Sequence, residues 1–309
     1  MTNVLVGGGT GLLGSAIVRR LINDGRNVFI PTRQTSKQKE GAVLRGESSQ
    51  ITYLDAGSDW HHEIAELEFE YIFHLAAENV APVSFKDVDA IVDANITQGL
   101  KLAFIASNHT KKPPLIYAQT FWQFSEGGSN PVPNGTYSAL KQGFHQIAGF
   151  YRNKMDVPTV GLVVFDTYSE DDRRKKLLPI LAKLIADRKK GLNCVPLALT
   201  HGTQEVCFMH IDDVADAFLI AAKLASKTDL RELESTFFLS DRKPVSLREL
   251  VDGLLIEYGY IDNLVEWSAK PPRSEEVFVI ANGPKLPCWK PRLSIRETFQ
   301  KMVLGFENE

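Results

Sequence analysis

Tyr137 and Lys141, four apart in Tyr137-Ser138-Ala139-Leu140-Lys141, are residue types that carry acid–base chemistry. At the start of a helix this spacing puts both on one face. An ammonium beside a phenol favours phenolate, so the tyrosine is expected to titrate below its usual value of about 10. A phenol tuned in this way exchanges a proton with a hydroxyl or carbonyl oxygen. Thr120, which ends the apolar run before it, is placed to donate to the same oxygen.

A second group of residues has the chemistry of binding. Val4-Leu5-Val6-Gly7-Gly8-Gly9-Thr10-Gly11-Leu12-Leu13-Gly14 sets a glycine-rich turn between a first strand and a first helix. Backbone N–H groups and the positive helix end can hold a pyrophosphate there, although Gly8-x-x-Gly11-x-x-Gly14 differs from the G-x-G-x-x-G spacing. Gly8, Gly11, Leu12 and Leu13 are the contacts expected at this turn. The second strand runs Val28-Phe29-Ile30-Pro31-Thr32-Arg33, with Lys37 and Lys39 beyond and no acid before Glu40. A basic residue here accommodates the 2′-phosphate of NADP, whereas an acid would select NAD, so NADP is preferred. Asp55 ends the third strand and either reaches the adenine or caps a turn.

These residues need a scaffold, and the sequence describes one. Nearly continuous apolar runs at 4–6, 28–30, 51–54, 71–75, 115–118 and 159–165 read as strands buried on both faces. Amphipathic stretches at 12–24, 60–67, 88–107 and 138–154 lie between them, an alternation that implies a parallel, doubly wound α/β sheet. Beyond 165 the pattern loosens into a basic helix-like stretch at 173–190, a strand at 206–209, a helix at 212–225, a strand at 236–239, a helix at 247–258 and a last helix from Ser294. Residues 1–165 are therefore expected to form the dinucleotide-binding unit. Parts of 206–225 and 235–240 would pack back onto it, with 166–309 mainly a smaller substrate lobe across a cleft.

The chain has 309 residues, 44% hydrophobic and 24% charged, which excludes disordered, collagen-like and disulfide-stapled classes. The 35 Lys+Arg against 38 Asp+Glu leave no global field for nucleic acid or an anionic bilayer, so an anionic ligand must be held locally. Three cysteines, Cys194, Cys207 and Cys288, form no C-x-x-C pair and suit a reducing compartment. Neither a signal peptide nor an apolar run long enough to span a bilayer is visible, so the cytoplasm is the expected location. His210, Asp212 and Asp213 have ligand-type side chains, but an acid there reads as a helix cap and no metal is expected.

In their order along the chain these residues resemble the extended short-chain dehydrogenase/reductase family, the Rossmann-type nucleotide-sugar epimerases, dehydratases and reductases. Gly8, Gly11 and Gly14 match its glycine motif, and Ile72-Phe73-His74-Leu75-Ala76-Ala77 is similar to its H-x-A-A segment beside the cofactor. Asn95 matches its helix asparagine, and Thr120, Tyr137 and Lys141 its catalytic set. Phe208-Met209-His210-Ile211-Asp212-Asp213-Val214 and Leu286-Pro287-Cys288-Trp289-Lys290-Pro291 resemble two late segments. The resemblance implies that Ala76, Ala77 and Asn95 line the cofactor. It gives Lys141 the nicotinamide ribose, Tyr137 the acid/base role and Thr120 the substrate oxygen. It also implies a homodimer built on the helices at 88–107 and 138–154, although Leu140, Phe144, Ile147 and Phe150 could equally lie in the monomer core.

The family's dehydratases carry Asp-Glu directly after the catalytic Thr. Here Phe121 and Trp122 stand there and cannot transfer protons. Thr120-Phe121-Trp122-Gln123, Phe165-Asp166-Thr167-Tyr168 and Asp171-Asp172-Arg173-Arg174-Lys175-Lys176-Leu177 resemble the branch containing the CDP-abequose and CDP-paratose synthases. The implied activity is NADPH-dependent reduction of the 4-keto group of a CDP-linked deoxyhexose. By the same resemblance Phe121, Trp122 and Gln123 line the sugar and Arg273 pairs with the diphosphate. Val206 stands where a second arginine is usual, so Arg173, Arg174 or Lys176 is expected to compensate. The competing readings are an NAD(P)-dependent nucleotide-sugar epimerase and a cofactor-binding protein without catalysis.

Overall fold

Strand β1 (Asn3–Gly7) leads into helix α1 (Leu12–Asn23), which returns the chain to β2 (Asn27–Thr32). In the computed structural model, which describes residues 2–32, 49–79, 84–240, 244–259, 264–273 and 276–309, β3 (Ile51–Asp55), β4 (Phe69–His74), α2 (Phe85–Val92), α3 (Gln98–Asn108) and β5 (Leu115–Thr120) follow. Then come α4 (Thr136–Met155), β6 (Thr159–Val164), β7 (Asp166–Tyr168), α5 (Leu177–Lys189), β8 (Leu197–Ala198), β9 (Glu205–Val206) and β10 (Phe208–His210). Helix α6 (Ile211–Ala225), β11 (Thr236–Phe238), β12 (Val245–Ser246), α7 (Leu247–Ile256), β13 (Val265–Glu266) and α8 (Ile295–Glu307) complete the described chain. Arg33, with Lys37, Lys39 and Glu40, lies outside the described residues.

The central sheet is parallel throughout, in the order β11-β6-β5-β4-β1-β2-β3. The Rossmann-type doubly wound sheet expected from the sequence is thus present. Its pleat sorts the core: Val4 and Val6 of β1 point to the side of α1 and α6, whereas Leu5 points to the side of α3 and α4. Both faces are covered, which is why these strands read as continuous apolar runs. β11 extends the sheet beside β6, and α6 packs against α1, where Arg20 joins Asp212 at 2.9 Å and Asp216 at 2.6 Å. A separate apolar cluster holds α5, α7 and α8 together.

Several boundaries differ from the sequence reading. The stretch 60–67 forms only a short 3₁₀ turn, Trp60–Ile64, because just Trp60 and Ile64 have a core to enter. The helix expected at 88–107 is broken by a wide π turn, Asp93–Thr97, with the buried Asn95 inside it. The helix expected from 173 starts at Leu177, since Arg173 and Arg174 before it are drawn to Glu309 and Asp172. The strand expected at 206–209 is two strands, β9 pairing with β12 and β10 with β7.

β1 is where the winding reverses: β2 and β3 lie on one side, β4, β5, β6 and β11 on the other. Doubly wound sheets bind ligands outside the carboxyl ends of their strands at such a point. Gly7, Asp55, His74 and Thr120 end their strands on that edge, and Asp166 follows closely on β6.

Candidate active site

The glycine turn is shaped by close backbone approach. Gly8 has φ +84°, and a Cβ on it would lie 2.4 Å from the Ala76 nitrogen. A Cβ on Gly14 would lie 2.1 Å from the Gly8 carbonyl oxygen, so the first turn of α1 sits against the loop itself. Gly11 caps α1 with extended backbone and no side-chain hydrogen bond, leaving the helix N-terminus to an outside acceptor. Leu12 and Leu13, half-buried in that first turn, pack on the core. This cradle fits a dinucleotide pyrophosphate. Asp55 accepts from the Gly57 N–H at 3.0 Å, so it caps a turn with one oxygen while its strand end faces the same crevice.

Across the reversal point, β4 ends at His74, and Ala76 and Ala77 follow. The His74 ring is fully buried. Burial, followed by the nearby Lys141 charge, pushes its pKa down to about 3, so the imidazole is neutral. Asn95 is likewise buried: Nδ2 donates to the Glu78 carbonyl at 3.0 Å and the Ile91 carbonyl at 2.9 Å, whereas Oδ1 has no partner among the described residues. An unpartnered buried acceptor beside the crevice is the feature a ligand hydroxyl or amide would satisfy.

Helix α4 brings Tyr137 and Lys141 to this point. Its start is fixed by Ser138, whose hydroxyl accepts from the Gly135 N–H at 3.0 Å and donates to Asn134 Oδ1 at 3.0 Å. Lys141 is buried, with Nζ 3.2 Å from the Ala76 carbonyl and 5.8 Å from the centre of the Tyr137 ring. Burial lowers the ammonium to about 7 and raises the Tyr137 phenol to about 12. The direction for Tyr137 is opposite to the sequence expectation. At 5.8 Å from the ring, a lysine that is itself desolvated gives less Coulombic help than burial takes away.

Thr120 sits at the end of β5, nearly buried, and caps the short turn Phe121–Gln123. Its hydroxyl accepts from the Trp122 N–H at 3.4 Å. Phe121 stacks on Phe165 with centroids 5.4 Å apart, and Trp122 meets Tyr137 edge to face at 6.3 Å. Thr120, Trp122, Tyr137 and Lys141 are therefore brought together. Gln123, expected at the substrate, is instead fully buried, its amide engaged by Thr120, Gln119 and Gln142.

The basic residues divide. The Arg173 guanidinium stacks 4.2 Å over Phe306 and pairs with Glu309 at 2.8 Å, which ties it to α8. Arg174 binds the buried Asp172 through Nε and Nη2 at 2.9 and 2.7 Å. Asp166, missed as a site residue in the sequence reading, has its carboxyl raised by burial and drawn back down by Lys176, Arg174 and Arg273, in that order. The charges of all three thus act on this one carboxylate. The available signal was an acid directly after a buried strand and Phe165.

His210, Asp212 and Asp213 serve structure. His210 itself caps α6, accepting from the Asp212 N–H at 3.1 Å, where the sequence suggested an aspartate cap. Its other nitrogen meets Glu170 at 3.0 Å. Asp213 accepts from the backbone of Arg292 and Leu293 at 3.0 and 2.9 Å and anchors the C-terminal segment.

Comparison with known proteins agrees with this geometry. CDP-abequose synthase of Salmonella typhimurium is 23% identical over 97% of this chain and 97% of its own. The UDP-N-acetylglucosamine 4-epimerase of Methanobrevibacter ruminantium, solved with UDP-N-acetylmuramic acid, superposes with a TM-score of 0.78 at 19% identity, over 99% of this chain and 98% of that one. The UDP-glucose 4-epimerase of Thermus thermophilus, solved with NAD, gives 0.74 at 21% identity over 99% of both chains. Residues 4–231 match the NAD dependent epimerase/dehydratase family as a whole. With the glycine cradle, the Thr120–Tyr137–Lys141 group and that match in place, the chain belongs to the NAD dependent epimerase/dehydratase family, enzymes of the extended short-chain dehydrogenase/reductase type.

Proposed function

We propose that this enzyme reduces the 4-keto group of a CDP-linked deoxyhexose with NADPH. The observation that carries the reading is the pairing of a protonated phenol with aromatic neighbours. Tyr137, raised to about 12, is an acid at neutral pH, and Trp122 meets its ring edge to face, with Phe121 edge to face against Trp122 in turn. Positions 121 and 122 offer no side chain for losing water, and a net reduction needs one proton donor. The whole-length likeness to a CDP-abequose synthase supports the same choice.

Gly8, Gly11 and the N-terminus of α1 would hold the cofactor pyrophosphate, with Leu12 and Leu13 behind it. Asp55 would face the adenosine, and the Ala76–Ala77 backbone, Asn95 Oδ1 and Lys141 the nicotinamide side. When bound, the nicotinamide supplies hydride to the sugar C4. Tyr137 gives its proton to O4, and Thr120 donates a hydrogen bond to the same oxygen. Arg174, Lys176 and Arg273 receive the diphosphate, in the lobe that α5, α7 and α8 build. The choice of NADP over NAD rests on Arg33. We place the enzyme in the cytoplasm on its three unpaired cysteines.

Incubation with NADPH and a CDP-linked 4-keto-6-deoxyhexose is expected to consume one cofactor per sugar and yield the 4-hydroxy product. Isomerised sugar with no consumption of cofactor overturns the reductase reading. That outcome belongs to a second reading, 4-epimerisation with NAD, which the fold shared with two epimerases favours.

We also propose a homodimer. Phe85 is 90% exposed, and Leu100, Phe104 and Phe150 add apolar surface on α3 and α4, whereas Phe144 is core. Light scattering at micromolar concentration is expected to give twice the chain mass, and Phe104→Glu to return it to one. A parent chain that stays monomeric defeats the proposal.

A further inference from the structure

Beneath Thr120 lies a chain of buried amides whose direction can be read from one end. The Thr120 backbone N–H is a donor of fixed polarity, and it meets Gln123 Oε1 at 3.0 Å. The nitrogen of the Gln123 amide must then point the other way. It donates to Gln119 Oε1 at 3.1 Å and to Gln142 Oε1 at 2.8 Å, which uses both of its hydrogens. Gln119 in turn donates from Nε2 to Thr236 Oγ1 at 3.1 Å. Room for that amide comes from Gly161, where a Cβ would lie 2.1 Å from Gln119 Nε2.

Two consequences meet at the active site. First, the turn that Gln123 closes makes Thr120 Oγ1 an acceptor for the Trp122 N–H, which leaves the hydroxyl proton to be donated outward. Second, Gln142 directly follows Lys141 on α4, so the 2.8 Å bond from Gln123 ties the Thr120 turn to the helix that carries Tyr137 and Lys141. A further tether runs from the Asn134 N–H to the Trp122 carbonyl at 3.3 Å. Gln123 is fully buried with its oxygen and both amide hydrogens engaged, so any slip of this residue strands a desolvated group and the turn is held in a single geometry.

We infer that Gln123 and Gln142 are positioning residues, which set the distance between Thr120 and Tyr137 and fix Thr120 as a hydrogen-bond donor to the reacting oxygen. The inference builds on the reductase reading, and it needs no contact between either glutamine and a ligand. Misplacing a reacting group by about 1 Å costs roughly a hundredfold in rate, so the network acts on kcat.

The test compares Gln142→Leu, which removes the acceptor at a half-buried position, with Gln142→Glu, which keeps one for Gln123. Gln142→Leu is expected to lower kcat by about ten- to a hundredfold, with sugar KM and cofactor Kd unchanged within about twofold. The deuterium isotope effect from 4-deuterated NADPH is expected to rise, and Gln142→Glu to recover most of the rate. Unchanged kcat and isotope effect in folded Gln142→Leu, or equal loss in both variants, overturns the inference.

Hydrogen exchange of the segment 119–124 provides a second arm that requires no substrate. Thr120 N–H exchange is expected to be about tenfold faster or more in Gln123→Leu, and to stay slow in Gln123→Glu, which keeps the Oε1 acceptor. Exchange as slow in Gln123→Leu as in the parent overturns the inference. Gln123→Glu covers the case in which the leucine variant does not fold, because its lost donors still predict a lower kcat. A parent enzyme that reduces no CDP-linked ketosugar would end the reductase reading, and this arm would still decide the network.

Discussion

Tyr137→Phe is expected to lower the rate of ketosugar reduction by about 10²–10⁴-fold while leaving cofactor affinity within about twofold of the parent. The substitution keeps the ring, its edge contact with Trp122 at 6.3 Å and its place 5.8 Å from Lys141 Nζ, and removes only the O–H. Burial holds that phenol near 12, so the parent carries the proton throughout the neutral range. Reduction is therefore expected to proceed without a tyrosine-dependent loss until the pH approaches strongly alkaline values. Single-turnover oxidation of NADPH with a saturating ketosugar isolates the step. A phenylalanine variant as fast as the parent would remove Tyr137 from proton transfer and shift attention to Thr120 or water.

The parts of this site that the sequence showed are those written in short, local patterns. Gly8, Gly11 and Gly14 stand in one turn, and Tyr137 and Lys141 one helical turn apart, so spacing alone places them. What it could not show is what long-range packing decides. Arg173 and Arg174 are neighbours of one chemical type, yet Arg173 is taken by Glu309, 136 residues away, and Arg174 by Asp172. The resemblance of Thr120-Phe121-Trp122-Gln123 to sugar-binding relatives makes Gln123 a substrate contact, and only its complete burial and its bonds to Gln119 and Gln142 reveal a strut. The Tyr137–Lys141 pair makes the same point in energetic form. Sequence shows the opposite charge nearby, and only the fold shows that desolvation outweighs it.

That desolvation leads to the other large effect: Lys141→Met is expected to stabilise the protein at pH 7 and to abolish turnover. Lys141 is 2% exposed, and burial drops its pKa from about 10.5 to about 7. Between those values the unfolded chain binds a proton that the folded chain does not, so stability contributed at this site rises with pH through the window. Below about 7 the folded lysine is charged as well, the slope vanishes and the full penalty remains. A shift of this size at about 1.4 kcal/mol per pKa unit, less the donor lost to the Ala76 carbonyl at 3.2 Å, predicts a gain on the order of 3 kcal/mol at pH 7. The gain shrinks as the pH approaches 10, where the parent no longer bears the penalty. Methionine keeps the length and fills the same space, so no cavity opposes the gain. Urea unfolding of both proteins at pH 6, 7, 8 and 9 measures it. A variant no more stable than its parent at pH 7, or an advantage that grows with pH, would show that the Lys141 ammonium is solvated or paired in the folded chain and that its burial is not the source of strain in this site.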